Sequence, residues 1–174
     1  MKAVISDSIQ EAKALLQNGD VVAIPTETVY GLAANALNAT AVAKIFEAKN
    51  RPFFDPLIVH VASVVEAEKY VQAIPAPLLR LMQTFSPGPL TVLLKKKDII
   101  PDIVTSGLDT VGIRIPNHPL TLELLTALDF PLCAPSANPF GYVSPTSAQH
   151  VFNQLADRIP LILDGGKCAV GVES

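Results

Sequence analysis

Charged and aromatic residues are both scarce in this chain. Only 17% of the 174 residues are charged and 6% are aromatic, whereas 49% are hydrophobic. An average soluble domain has roughly 25% charged residues, so this balance is typical of a folded chain with a substantial core and excludes disorder as its main state. The net charge of -3 argues against a dedicated nucleic-acid binder. At this length we expect a single domain.

Cysteines are few, and no long hydrophobic run is present. Cys133 and Cys168 are the only two, and they show no C-x-x-C spacing, so we expect buried reduced thiols instead of a zinc site or disulfide framework. The longest segment without charge or histidine, 130–149, contains four prolines, which excludes a membrane helix. Charged side chains, beginning with Asp7, interrupt the place of a signal-peptide apolar region, so we expect a cytoplasmic protein.

Several common functional signatures are absent. The sequence has no G-x-x-x-x-G-K-[ST], no G-x-G-x-x-G, no G-x-S-x-G and no H-E-x-x-H. P-loop, dinucleotide-binding, serine-hydrolase and zincin functions therefore lack their motifs. The three histidines do not have the spacing of metal ligands, so we expect no resident metal site.

Strand-like and helix-like segments alternate along the whole chain. Short apolar runs predict strands at 21–24, 57–61, 90–94, 111–115 and 161–163. Capping residues and apolar periodicity predict helices at 9–18, from Asn38 to before Pro52, and at 63–71, 77–85, 120–128 and 147–159. This alternation favours one α/β domain with helices packed on a mixed sheet. Ligands in such folds bind at strand ends, so the loops are the place to look for the site.

Polar residues at these ends are candidates for binding, and each has a structural alternative. In the segment 25–32, PTETVYGL, two threonines bracket the carboxylate of Glu27; alternatively, this segment is a helix cap. Lys49 and Arg51 bring two cations to a helix end, where cations also favour the helix dipole without any ligand. His60 on its strand is either a ligand-binding or a satisfied structural histidine.

Arg114 and the loop 134–146 extend the candidate site. Arg114 alternates with apolar residues beside Gly112 and suits a bidentate contact with a carboxylate or phosphate, unless its strand face is merely solvated. The loop has hydroxyls, an amide and backbone N–H groups able to bind an anion, with a capped structural loop as the alternative.

A series of short motifs covers nearly the whole chain. They are PTETVYGL at 25–32, K-x-R-P at 49–52, PLIVH at 56–60, PGPLT at 87–91, TVGIRIPNHP at 110–119, APSAN and SPT within 134–146, DGG at 164–166 and GVES at 171–174. In this order the motifs resemble the YrdC-like threonylcarbamoyl-AMP synthase family, L-threonylcarbamoyladenylate synthases. Each motif is short, but their combination is specific.

The resemblance implies a fold and a reaction. The fold is a three-layer α/β YrdC-like fold, a twisted mixed sheet flanked by helices with a concave, positively charged ligand cleft. The reaction joins L-threonine, bicarbonate and ATP into threonylcarbamoyl-AMP and pyrophosphate, for threonylcarbamoyladenosine modification of tRNA. Mg²⁺ would travel with the ATP, and a tRNA-modifying transferase would take the product. A weak contact with tRNA stays open.

The resemblance also implies roles for individual residues. Threonine binding falls on Thr28, His60, Arg114, the backbone at Ala134 and the hydroxyl of Ser174. Nucleotide binding falls on Arg51, Asp55, Thr110, Ser136 and Ser144. Catalytic charge stabilisation falls on Lys49 and Arg51.

Two departures from the family pattern qualify these expectations. The family more often has Asn or His at the position of Asp55, so we expect this carboxylate to act through magnesium or a backbone donor. The family usually continues beyond Ser174 with an apolar strand, so we expect residues 1–174 to form a YrdC-like domain without its last strand, and a longer form stays open. The alternatives are a carbamoyl-adenylate-forming domain of the hydrogenase-maturation type and a non-catalytic RNA-binding module.

Overall fold

The computed structural model describes residues 2–174, which form one mixed sheet of eight strands with seven helices. The strands are β1 (Val4–Ser6), β2 (Val22–Ile24), β3 (Gly31–Asn35), β4 (Ile58–His60), β5 (Thr91–Lys95), β6 (Thr110–Arg114), β7 (Leu132–Cys133) and β8 (Leu161–Leu163). The helices are α1 (Ile9–Gln17), α2 (Ala39–Lys49), α3 (Val64–Ala67), α4 (Ala76–Phe85), α5 (Asp102–Thr105), α6 (Pro119–Ala127) and α7 (Ala148–Leu155). None of these helices is long and apolar enough to cross a membrane.

The sheet has the strand order β1-β8-β2-β3-β7-β4-β6-β5. Strand β8 pairs in parallel with β1 and β2, and β4 pairs in parallel with β6, while the other pairs are antiparallel. The α/β fold with a mixed sheet, predicted from the alternation of segments, is confirmed.

Helices cover the two faces of the sheet unequally. Alternate residues of β2 point to opposite faces, so that Ala23 joins one core cluster while Val22 and Ile24 join the other. The larger cluster includes residues of α2, α5 and α7, and the smaller one is closed by α1 and α6. This arrangement is the expected three-layer fold.

One face of the β4-β6-β5 half of the sheet lacks a helix layer. Residues such as Val59 and Ile113 point into the larger core, whereas their neighbours His60 and Arg114 point to the opposite face. On that face Leu93 of β5 is 67% exposed. This face, uncovered by helices, therefore carries polar side chains that contact the loops of Thr28 and Ser174.

The capping residues predicted from the sequence agree with the structure in most places. Ser8 and Asn38 accept backbone N–H groups at the starts of α1 and α2, and Ser63 accepts the backbone N–H of Glu66 at the start of α3. The prediction of a helix from Ser63 to Val71 was too long, because α3 ends at Ala67 and Val71 forms a β-bridge with Lys96.

Other boundaries also differ from the sequence-based prediction. Helix α7 ends at Leu155, short of the predicted end at residue 159. Three strands and one short helix were not predicted: β1, β3, β7 and α5. Strand β3 is rich in Gly and Ala, which lack the strand propensity of β-branched residues, so its local pattern does not reveal it. The segment 25–32 runs into strand β3, so it is not the helix cap that was the structural alternative for it.

We predict that Leu16→Ala lowers the free energy of unfolding by roughly 2 to 5 kcal/mol, because the completely buried Leu16 side chain closes the smaller core cluster. Its neighbour Leu15 is only partly buried, so Leu15→Ala should cost clearly less. Urea denaturation of the two variants measures the difference. Equal losses would show that α1 does not pack through Leu16.

Candidate active site on the uncovered face

A cavity of about 130 Å³ lies on this uncovered face of the sheet. Its wall includes seven of the residues predicted for the site: Thr28, Arg51, His60, Arg114, Ala134, Ser136 and Ser174. The first two come from different loops, and the others from β4, β6, the loop after β7 and the C-terminal segment. Residues far apart in sequence therefore meet around one space, as the resemblance required.

Sheet register places His60 and Arg114 side by side. His60 of β4 pairs with Arg114 of β6 in parallel register, and Thr91 of β5 pairs with Arg114 on its other side. Paired residues in neighbouring strands project to the same face of a sheet. The period-two pattern of the two predicted strands thus produces a row of polar side chains along the cavity floor.

The guanidinium of Arg114 is held by three neighbours. Its Nε donates to the carbonyl oxygen of Gly88 at 3.3 Å, and its Nη2 donates to Oγ1 of Thr28 at 3.2 Å and to the carboxylate of Glu27. Burial lowers the pKa of Arg114, and the charge of Glu27 opposes that effect. An arginine remains protonated at any ordinary pH, so this side chain carries a fixed positive charge into the cavity wall.

Glu27 was not among the predicted site residues. The signal that could have identified it is its place between Thr26 and Thr28, directly after a buried strand. Its side chain is 8% exposed, and its second oxygen accepts the backbone N–H of Asn117 at 2.7 Å. A buried carboxylate of this kind requires partners, and here both of its oxygens have one.

His60 is a neutral side chain in this structure. Its Nδ1 lies 3.2 Å from the carbonyl oxygen of Ile58, which only accepts hydrogen bonds, so Nδ1 carries the proton and Nε2 is left as an acceptor. Burial, and after it the charge of Arg114, lowers the pKa of His60 to about 3. His60 can therefore accept a hydrogen bond from a ligand amine or hydroxyl.

Lys49 contacts the loop that borders the cavity. Its side chain is 1% exposed and is not part of the cavity wall. Its Nζ donates to the carbonyl oxygen of Asn138 at 2.7 Å and to that of Ser136. Burial, and after it the charge of Arg51, lowers the pKa of Lys49 to about 8. Two of the three ammonium N–H groups bind these carbonyls, so Lys49 stabilises the loop that borders the cavity, and its catalytic role stays a prediction.

Arg51 lines the cavity and is oriented by Asp55. The two side chains form an ion pair of 3.1 Å, and Nη2 of Arg51 also donates to the carbonyl oxygen of Pro56 at 3.2 Å. The Nε of Arg51 is buried and has no hydrogen-bond partner within residues 2–174. Asp55 itself is not in the wall, and its carboxylate pairs with Arg51; its nucleotide-binding role stays a prediction.

The remaining predicted residues divide into two groups. Ser174 lies in the wall with its Oγ 3.2 Å from Oγ1 of Thr91, and the backbone of Ala134 and Ser136 borders the same space. Ser144 lies outside the wall and donates to the carboxylate of Glu173 at 2.5 Å.

Thr110 is not brought to the cavity. It lies at the opposite end of β6 from Arg114, a separation of roughly 13 Å at the usual rise of an extended strand. Its nucleotide-binding role stays a prediction.

The C-terminal segment folds back onto the loop that contains Glu27. The backbone N–H groups of Val170 and Gly171 donate to the carbonyl oxygens of Glu27 and Thr28, at 2.9 and 3.0 Å. This contact brings Glu173, which was not predicted, into the cavity wall. Each of the two arginines in the wall has a carboxylate partner, so the positive charge that the resemblance implied for the cleft is largely offset.

Fold and site together define an α/β domain with a cavity that suits a ligand bearing anionic groups. The Sua5, YciO and YrdC family model, described as telomere recombination, matches residues 14–174. Threonylcarbamoyl-AMP synthase of Bacillus subtilis is 51% identical over 167 residues, 95% of this chain and 48% of that protein. The Pyrococcus abyssi synthase is 48% identical over 166 residues, 95% of this chain and 49% of that protein.

A solved structure shows the same fold. The crystal structure of P. abyssi Sua5 complexed with L-threonine superposes with a TM-score of 0.96 and 44% identity, covering 99% of this chain and 53% of that one. The chain therefore belongs to the Sua5/YciO/YrdC family. It spans about half the length of the curated relatives named above.

We predict that His60 makes stability depend on pH in acid. Between its unfolded pKa of 6.5 and its folded pKa of about 3, the unfolded chain binds a proton that the folded chain does not. Stability is therefore full above the unfolded pKa and falls as the pH drops through this window, by up to about 1.4 kcal/mol per pH unit. His60→Gln should flatten this part of the profile in urea denaturation at pH 7, 5 and 4. An unchanged slope would show that His60 is protonated in the folded protein.

We predict that Lys49→Met lowers the free energy of unfolding by roughly 2 to 4 kcal/mol, because two buried carbonyl oxygens lose a charged donor. Lys44→Met on the same helix is the matched control, since Lys44 is only partly buried and should tolerate the change. Chemical denaturation measures both. Unchanged stability combined with lost turnover would favour the direct catalytic role predicted from the sequence over a role in holding the loop.

Proposed function

We propose that this chain forms threonylcarbamoyl-AMP and pyrophosphate from L-threonine, bicarbonate and ATP. The main support is that Arg51, His60 and Arg114, from three separate segments, meet on the wall of one cavity. Curated relatives with this activity in their names are 48% and 51% identical over 95% of the chain. A solved relative of the same fold is described as complexed with L-threonine.

The amino acid would bind at the Arg114 end of the cavity. Nη1 of Arg114 makes no hydrogen bond within residues 2–174, so its N–H groups are free to donate to the threonine carboxylate. The unprotonated Nε2 of His60 would accept a hydrogen bond from the amine or the hydroxyl. Thr28 and Ser174, both in the wall, offer hydroxyls on either side.

The nucleotide would bind at the Arg51 end. Arg51 has an unsatisfied buried Nε, which suits a phosphate oxygen, and Ser136 lies in the same wall. No group of three or more His, Cys, Asp or Glu in residues 2–174 could hold a metal ion. Asp55 and Glu173 are the carboxylates beside Arg51, and each already has a protein partner. Mg²⁺ usually relies on substrate phosphates and water, so we propose that it enters with ATP.

Two bond-forming steps would occur in this space. The threonine amine combines with bicarbonate to give a carbamate and water, and a carbamate oxygen then attacks the α-phosphorus while pyrophosphate leaves. Negative charge grows on phosphate oxygens, where the fixed charge of Arg51 stabilises it most. Holding the reactants in contact can itself supply on the order of 7 to 11 kcal/mol.

The other proposed properties concern the setting of the reaction. We propose a cytoplasmic location and a tRNA-modifying transferase that takes the threonylcarbamoyl group. Any tRNA contact of this chain would be weak, because its net charge is -3. The carbamoyl-adenylate-forming domain of the hydrogenase-maturation type and the non-catalytic RNA-binding module are not favoured, since the relatives reported above are named as synthases.

We predict that the purified chain releases pyrophosphate only when threonine, bicarbonate and ATP are all present. Each substrate supplies atoms or energy that the others lack, so omission of any one should reduce release to background. A coupled pyrophosphate assay measures this. Equal release without threonine would contradict the proposed reaction.

We predict that Arg51→Ala and Arg114→Ala each lower the rate roughly tenfold to 150-fold, the equivalent of a charged contact of about 1.5 to 3 kcal/mol. The Arg114 change should act mainly on the KM of threonine, and the Arg51 change on that of ATP. Arg80→Ala is the control, because Arg80 is exposed on α4. Unchanged kinetics in either cavity variant would show that its arginine does not contact substrate.

A further inference from the structure

Glu27 is buried beside the cavity without being part of its wall. Its neighbours Thr26 and Thr28 line the space, whereas the Glu27 side chain points away from it and is 8% exposed. Both of its oxygens are occupied, one by Nη2 of Arg114 and the other by the backbone N–H of Asn117 at 2.7 Å. Glu27 therefore joins the end of β6 to the loop that follows it.

This contact determines which edge of Arg114 faces the cavity. A guanidinium has five N–H donors in a fixed plane. The Nε–H is used by the carbonyl of Gly88, and the two on Nη2 are used by Thr28 and Glu27, which leaves the pair on Nη1. Because the plane is rigid, fixing Nε and Nη2 also fixes the direction in which Nη1 points.

The position of Glu27 is itself fixed by its local turn. Oγ1 of Thr26 donates to the carbonyl oxygen of Val29 at 2.7 Å and accepts the backbone N–H groups of Thr28 and Val29. The carbonyl oxygen of Glu27 accepts the N–H of Val170 at 2.9 Å. The carboxylate thus has little freedom to move, and a rigid partner is what positioning of a guanidinium requires.

Glu27 also balances the charge of Arg114. Arg114 is 4% exposed and lies next to the neutral His60, so Glu27 is its only carboxylate partner within residues 2–174. With the charges paired before any ligand binds, the attraction for a substrate carboxylate depends on the direction of the free donors more than on net charge.

We infer that Glu27 is the positioning residue that orients Arg114 so that its Nη1 donors meet the carboxylate of the amino-acid substrate. This inference rests on the proposed function. It assigns Glu27 a role through Arg114 only, since the Glu27 side chain does not border the cavity.

Glu27→Gln is the informative change. Arg114 and Asn117 donate to different oxygens of Glu27, and glutamine replaces one of these oxygens with an NH₂ group, which must face one of the two donors. We expect the dissociation constant for L-threonine to rise about tenfold or more, the loss of a charge-assisted contact. Binding of ATP should stay within about threefold, because Arg51 is unaffected. Calorimetric titration with each substrate measures both.

The control variant is Glu123→Gln, which removes the same charge from an exposed position on α6 and should change neither affinity. Thermal unfolding and circular dichroism check that the variants are folded. Equal weakening of threonine and ATP binding in Glu27→Gln would show a general structural role and would overturn the inference.

A double variant separates this inference from the proposed function. If Glu27 acts through Arg114, then Glu27→Gln should add nothing to the loss of threonine affinity in Arg114→Ala. Additive losses would overturn the positioning role. Arg114→Ala with normal threonine binding would instead contradict the proposed function, and the inference with it. Loss in Arg114→Ala combined with normal binding in Glu27→Gln would overturn the inference alone.

A measurement on the unsubstituted protein covers the case in which Glu27→Gln does not fold. We expect the Nη2 N–H groups of Arg114, which donate to Glu27 and Thr28, to exchange with solvent more slowly than those of exposed Arg80 in nuclear magnetic resonance spectra of the ligand-free protein. Slow exchange before threonine is added would show that the guanidinium is already oriented. Exchange as fast as that of Arg80 would overturn the inference.

Discussion

The buried positive charge of Arg114 is the constraint on which the site depends. A charge with 4% exposure is costly unless it is paired and hydrogen-bonded, and two separate segments, around Glu27 and around Gly88, supply the partners of Arg114. Glu27 follows β2, Gly88 precedes β5, and Asn117, which binds the other oxygen of Glu27, follows β6. Satisfying this one guanidinium therefore ties together the loops after β2, before β5 and after β6, and the first of these lines the cavity.

The two buried cations of the site have different tasks. Lys49 directs its charge into the protein, where it binds two carbonyl oxygens of the loop that borders the cavity. Gly31 allows that loop to lie close to β3, since a Cβ there would be 3.2 Å from that of Ala134. Arg114, in contrast, keeps its Nη1 donors free. A lysine suits the first task because its single ammonium can reach two acceptors, and an arginine suits the second because its fork is planar.

Much of the fold could be predicted from the sequence, because buried strands and capped helices have local patterns. The side-by-side placement of His60 and Arg114 could be predicted only in part. The alternation of side chains along a strand gives the face on which each residue lies, but it does not give the register between β4 and β6. The task of Lys49 could not be predicted, because its acceptors lie 87 and 89 residues away along the chain. Glu27 was missed for the same reason: its two partners are 87 and 90 residues away.

The division of the sheet explains how such a site is tolerated. In the half formed by β8, β2 and β3, apolar residues are buried on both faces, and the smaller core cluster combines these strands with residues of β7, α1 and α6. In the half formed by β4, β6 and β5, one face is left to His60, Arg114 and the exposed Leu93. That face contributes less apolar burial, and it desolvates a histidine whose pKa is lowered to about 3. The half that is covered on both faces offsets this loss, because stability is a property of the whole domain. The two halves belong to one sheet, since β7 pairs with β3 on one side and with β4 on the other.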